Sequence, residues 1–253
     1  MVEDPPSHKV TASSVAEQLA ARGAMPNHER KPPTKWCKGL DSADKEVSGY
    51  VVGLLLMLNY YVRCFEAAVQ LFEIAATTQR RASDAFKKDR ANIDAAADLE
   101  IVDGWVVIAA RDGAMSIYHF GCTMDGLVET MGKAPGLRTK YGRPLKLVRK
   151  QFEEAFPSFF KVRHAIAHSA ERNKSPEKIE EHSLVGPWKT SRMEFTAAEG
   201  VAMSGMLTDV LDNRTWSSTW DGQVVSYEIS VETLANLVKF RDEIYLAFSE
   251  SPV

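Results

Sequence analysis

Apolar residues first become periodic after Ser48, where Leu54, Leu58, Tyr61, Phe65, Ala68, Phe72 and Ala75 recur at steps of three and four. Such spacing places them on one face of a long helix, over about residues 46–80. The polar, alanine-rich stretch 80–97 then reads as a loop or a frayed extension. A second stripe runs Val102, Val106, Ala109, Gly113, Ile117, Phe120, Met124, Leu127 and Met131. It predicts a helix over about 98–131, ended by Gly132 and the Pro135-Gly136 pair. The small residues Ala109 and Gly113 on that stripe admit a close neighbour.

Pro144 suits the first turn of a third helix, with Leu145, Val148, Phe152 and Phe156 facing inward. Pro157 has no N–H and must interrupt it, so a new helix restarts at a Ser158 cap and carries Phe159, Val162 and Ile166 inward. Residues 171–190 are polar, include Pro176 and Pro187, and read as a loop. The period then changes to two. Residues 206–211, 215–220 and 224–229 read as strands, with turns at Asp212-Asn213 and Asp221-Gly222. A last helix, capped near Ser230, presents Leu234, Leu237, Val238, Phe240 in part, Ile244, Tyr245 and Phe248. The fold class predicted is mainly α. It is an up-and-down bundle of four or five long helices, with a small antiparallel β-meander at about 205–230 before the last helix. Residues 1–44, with five prolines, read as a flexible arm ahead of a helical domain over 45–253.

Composition narrows the class only broadly. With 253 residues, 45 % apolar and 26 % charged, the chain can bury a sizeable core, which excludes collagen-like and wholly disordered readings. Its net charge of −3 excludes a uniformly basic coat for nucleic acid. Cys37, Cys64 and Cys122 are odd in number and widely spaced, which predicts free thiols. The start carries acids and prolines where a secretory signal needs a basic then apolar run, and the apolar run 51–58 is short against the ~20 residues that span a bilayer. The expectation is a cytoplasmic protein.

The most informative stretch is Arg163, His164, Ala165, Ile166, Ala167, His168. On a helix at 100° per residue, His164, His168 and Glu171 fall opposite Val162 and Ile166, with Arg163 at the border. Around them, residues 138–178 hold eleven lysines and arginines against four acids, a net +7, which leaves −10 for the remainder. A basic stretch of that kind suits phosphate binding, and also suits a solvated helix face.

Arginine, a polar residue, three further residues and histidine, on a late helix of a helical bundle, resembles the HEPN family (higher eukaryotes and prokaryotes nucleotide-binding). With its added meander, the chain resembles an uncharacterised subset of that family. The resemblance implies a homodimeric helical bundle in which the motifs of two subunits meet. It implies a metal-independent endoribonuclease with no cofactor, RNA as substrate, and a toxin–antitoxin or defence role with an antitoxin-type protein partner. Arg163 would hold phosphate, His168 would carry the proton and His164 would support them. The chemistry is coherent, because RNA carries its own 2′-OH nucleophile and needs a proton shuttle and a cation for the developing charge.

Two alternatives share these residues. One is a non-catalytic module for dimerisation or for nucleotide or RNA binding. The other is a metal site on His164, His168 and Glu171, for which the sequence offers no HExxH and no evident further carboxylate. His119 reads as a bundle histidine. Trp216, Trp220 and Tyr227 read as cross-strand aromatics packing a sheet onto the bundle, rather than as a base-stacking platform.

Overall fold

The computed structural model describes residues 28, 30–38, 40–185, 188, 189, 194, 195 and 204–249. The first 27 residues, including the short helix the pattern allows near residues 15–22, lie outside the described residues. Among the described residues the architecture is the expected one, mainly helical with a small antiparallel sheet before the last helix. Four helices are long: α1 (Ser42–Lys88), α2 (Ile93–Lys133), α3 (Pro135–Ala155) and α7 (Val231–Ser249). Three are short: α4 (Lys161–Ala167), α5 (Ser169–Arg172) and α6 (Pro176–His182). Two-residue strands follow, β1 (Leu184–Val185) paired with β4 (Ser204–Gly205), and β2 (Trp188–Lys189) paired with β3 (Glu194–Phe195). The main sheet is a meander of β5 (Val210–Asp212), β6 (Thr215–Trp220) and β7 (Gln223–Glu228).

Helices α1 and α2 form a long antiparallel hairpin because only residues 89–92 separate them. Each is capped by a side chain. Asp41 accepts from the Asp44 N–H at 2.8 Å, and Asn92 accepts from the Ala95 N–H at 2.9 Å. Both helices outrun the predicted spans, since the stretch 80–97, read as a loop or a frayed extension, is mostly helical. Between Gln79 and Ile101 only Ala95 is buried, so this end projects from the core. By length and composition α1 could cross a membrane, but one third of its most apolar window is buried, with Val51, Leu55, Leu58, Val62 and Phe65 facing the bundle.

Pro135, rather than Pro144, opens α3, and Pro144 lies inside it. Ala134 is already extended (φ −125°, ψ 93°), so the chain breaks there and Pro135 takes the first turn, where a missing N–H costs nothing. Ser158 does not cap the next helix. Its φ of +59° makes it the corner of the turn after Pro157, and α4 starts at Lys161 without a side-chain cap. Part of the expected arm is packed, because Trp36 is buried against Tyr141 and Phe248.

The core is one cluster centred on Phe120, Phe152, Phe156, Phe159 and Phe240. A Cβ on Gly121 would overlap the Phe159 ring, so α2 carries glycine where the segment leading into α4 crosses it. The meander seals one flank. Trp216 and Tyr227 are cross-strand partners, both buried, as the sequence predicts. The Tyr227 hydroxyl donates to the Pro157 carbonyl at 2.5 Å and so ties the sheet to the turn that launches α4. Burial pushes this phenol well above its ordinary value. Tyr227→Phe is expected to cost about 1 kcal/mol in urea unfolding; an unchanged midpoint would show that the bond contributes nothing.

Candidate functional site

The motif lies on α4, a seven-residue helix that bends at His168 (φ −101°, ψ 18°). The His168 N–H still bonds the His164 carbonyl, and the Arg172 N–H bonds the His168 carbonyl, so the chain bends without losing its ladder. Val162 and Ala165 are buried, Ile166 is half-buried, and Arg163, His164 and Ala167 are exposed. His168 keeps 38 % of its side chain accessible. All three predicted site residues therefore stay outside the core.

They do not all face the same neighbours. Arg163 looks toward α2, where its charge acts on Tyr118 and His119. Burial pushes the Tyr118 phenol up and Arg163 pulls against it. The His119 ring stacks on Tyr61 at 5.1 Å between centroids. Burial first, and then the Arg163 charge, lower His119 below the ordinary imidazole value, while Asp112 opposes them. Asp112 itself is raised by burial. A perturbed histidine and a perturbed carboxyl beside an arginine are a cluster of a kind found at functional sites.

The sign of the His119 shift fixes two results. Unfolding frees this imidazole to bind a proton, so its contribution to stability is complete above its ordinary unfolded pKa and falls as pH drops through that value. Arg163→Gln is expected to raise the His119 pKa, read as an NMR titration of its ring protons; an unmoved midpoint would separate the two residues.

His164 and His168 look the other way, toward the sheet. Their rings lie 5.6 Å apart, and Trp220 lies 5.2 Å from His164 and 6.0 Å from His168. His168 Nδ1 is 2.6 Å from a Glu171 carboxylate oxygen. That contact holds the Glu171 carboxyl below the ordinary carboxylate range. An ionised carboxylate can only accept, so Nδ1 is the protonated nitrogen, and Nε2 is left to take or give a proton. The sequence places Glu171 only in the alternative metal reading, whereas in the fold its carboxylate orients His168. The spacing of three residues on adjoining turns was the available signal.

Trp220 packs against the core as expected and makes further contacts besides. Trp216 and Tyr227 pack inward, while Trp220, at the end of β6, meets His164, His168 and also His182 at 4.3 Å. His182 was invisible in a segment read as loop, because α6 is only seven residues long. The basic stretch is likewise redistributed. Arg172 is buried, with its guanidinium donating to the carbonyls of Thr219 and Ala165 and to Ser218 Oγ, and so clamps α4, α5 and β6 together. Arg149 pairs with Asp125 and Glu153, and Lys178 with Glu181. A cleft of about 380 Å³ is lined by His168, Glu171, Lys174, Lys178, His182 and Trp220 among others.

Of the three residues in the alternative metal reading, His168 and Glu171 are joined directly, while His164 stacks on Trp220. Comparison with protein-family models, with curated proteins and with solved structures finds no match to this chain.

Proposed function

We propose that the chain is a cytoplasmic, HEPN-like, metal-independent endoribonuclease whose site is assembled by two copies. The observation that carries this reading is the outward stance of Arg163, His164 and His168, with the His168 imidazole oriented by Glu171. A core has no use for that arrangement, whereas a proton-transfer site needs an imidazole fixed by a third group and open on its far nitrogen.

RNA supplies the nucleophile. His168 Nε2 takes the 2′-OH proton as the 2′-oxygen bonds to phosphorus, and the resulting imidazolium returns a proton to the 5′ oxygen as its P–O bond breaks, leaving a 2′,3′-cyclic phosphate; Glu171 stabilises the imidazolium between those events. Arg163 holds the phosphate oxygens with its planar fork. His164 packs against both His168 and Trp220, which also meet each other, and so supports the ring. Arg163 and His168 serve opposite sides of α4, toward α2 and toward the sheet. A second copy would bring one chain's guanidinium to the other's imidazole. The half-exposed Tyr60, next to Tyr61 on the Arg163 side, offers apolar surface for such pairing. An antitoxin-type partner would act by covering the same face.

The test is cleavage of mixed RNA in EDTA, followed by mixing two inactive variants. Arg163→Ala and His168→Ala chains, unfolded and refolded together, are expected to regain activity, because a mixed pair contains one intact arginine and histidine. Wild-type protein that leaves RNA intact rejects the nuclease, and inactive variants that stay inactive on mixing reject the shared site. In that event, RNA retention without cleavage would favour the binding-module reading.

A further inference from the structure

We propose that the outer face of α2, near the projecting hairpin end, is a docking surface for a second copy of this chain, which meets it with the basic outer face of α3. At 100° per residue, Ile93, Ala97, Ile101, Gly104 and Ile108 fall within one arc of about 80° on α2. The residues that α2 buries over the same stretch, Ala95, Val102, Val106 and Ala109, lie on the opposite side. The three isoleucines are 81 %, 52 % and 58 % exposed, and a Cβ placed on Gly104 would meet nothing within 4 Å. The solvent side of a helix is ordinarily polar, so an open apolar line about 22 Å long marks a contact surface.

Charge selects the occupant. Residues 93–108 carry four acids, Asp94, Asp98, Glu100 and Asp103, and no base. Asp94 and Asp98 border the apolar line on one side and Glu100 borders it on the other. Two copies of this face laid together would set acid against acid. Residues 138–152 of α3 have the opposite pattern, with six bases and no acid. Lys140, Arg143, Lys146 and Lys150 are exposed on one side of α3 around Leu147, itself 58 % exposed. Ion pairs fix the orientation of such a contact, and the isoleucines pack on Leu147 and on the apolar stems of the lysines. The contact joins two different faces, so each copy keeps one of each kind free and association is open-ended. Neither face holds Arg163, His164 or His168, so this contact and the nuclease reading stand or fall separately.

Sedimentation velocity of the full-length chain tests this. Species are expected to grow with protein concentration in low salt and to shrink between about 0.05 and 0.5 M salt, as charges are screened. Ile101→Lys breaks the α2 line, and Lys146→Glu reverses charge on α3. Both replace exposed side chains, so circular dichroism is expected to match wild type. Each variant alone is expected to associate roughly tenfold more weakly. An equal mixture of the two is expected to associate where neither does, because each chain supplies the face that the other has lost. His168→Ala is expected to sediment as wild type. A wild-type size that does not change with concentration overturns the proposal, and so does a mixture no larger than its components. Lys146→Glu that associates as wild type overturns it in favour of α2 meeting its own copy. Lys146→Glu that loses retention of RNA with unchanged sedimentation overturns it in favour of nucleic acid on the α3 face.

Discussion

His168→Ala is expected to cut RNA roughly 10²–10⁴-fold more slowly than wild type in EDTA, the range that positioned acid–base groups supply. His168 Nδ1 meets Glu171 at 2.6 Å, which leaves the other ring nitrogen as the one to exchange the proton. Alanine removes the shuttle and leaves Arg163 in place, so substrate binding should persist while turnover collapses. Glu171→Gln keeps a hydrogen-bonding side chain of the same size but loses the charge that steadies an imidazolium. Its expected effect is on the order of tenfold, in kcat rather than KM. His119 is the control on the other side of α4. If His119→Ala abolished cleavage and His168→Ala did not, the shuttle would belong to the patch beside Arg163, and the assignment of His168 would fall. Equal rates for wild type and both variants would assign the cleavage to a contaminating nuclease.

Phe152→Ala is expected to be the most destabilising single change, at about 3–5 kcal/mol. The ring is fully buried and meets Phe120 at 5.4 Å, Phe156 at 4.9 Å, Phe159 at 5.3 Å and Phe240 at 5.6 Å. These partners come from α2, from the turn before α4 and from α7, so the cavity left by alanine cannot close by moving one element. For a domain of this size the loss corresponds to a fall in melting temperature on the order of 10 °C. Phe152→Leu, which fills most of the space, should lose much less. Melting of Phe152→Ala within a degree or two of wild type would mean that the aromatic cluster is not the centre of the core. Because Phe159 leads directly into α4, the same variant tests whether the motif helix depends on this cluster. Hydrogen exchange at Val162 and Ala165 should accelerate with it.

Helix faces and the hairpin were legible in the residues themselves. Stripes such as Val102 to Met131 repeat because one side of a helix must be apolar to pack. Asp221-Gly222 forms its turn because left-handed backbone is cheap there. Arg163, His164 and His168 could be picked out by their position off the apolar side of a short segment, and the fold keeps them outside. The limits of elements were not legible in the same way. The polar, alanine-rich residues 80–88 and 93–97 extend α1 and α2 on either side of the break at 89–92, where Asn92 caps the second helix, and the choice between Pro135 and Pro144 followed from the bend at Ala134.

What tertiary structure alone decided is which polar groups meet. Sequence spacing placed Arg172 among exposed cations, yet it is buried because three acceptors from α4 and β6 converge on its guanidinium. His182 and Trp220 are 38 positions apart and stack only because α6 returns to the end of the meander. Arg163 finds Tyr118 and His119 across α2, and Asp221 finds His182 across the turn. Local pattern specifies the face a side chain occupies, since that depends on helical or strand period. Contacts between distant segments depend on how those faces close against each other, and no period in the chain encodes that.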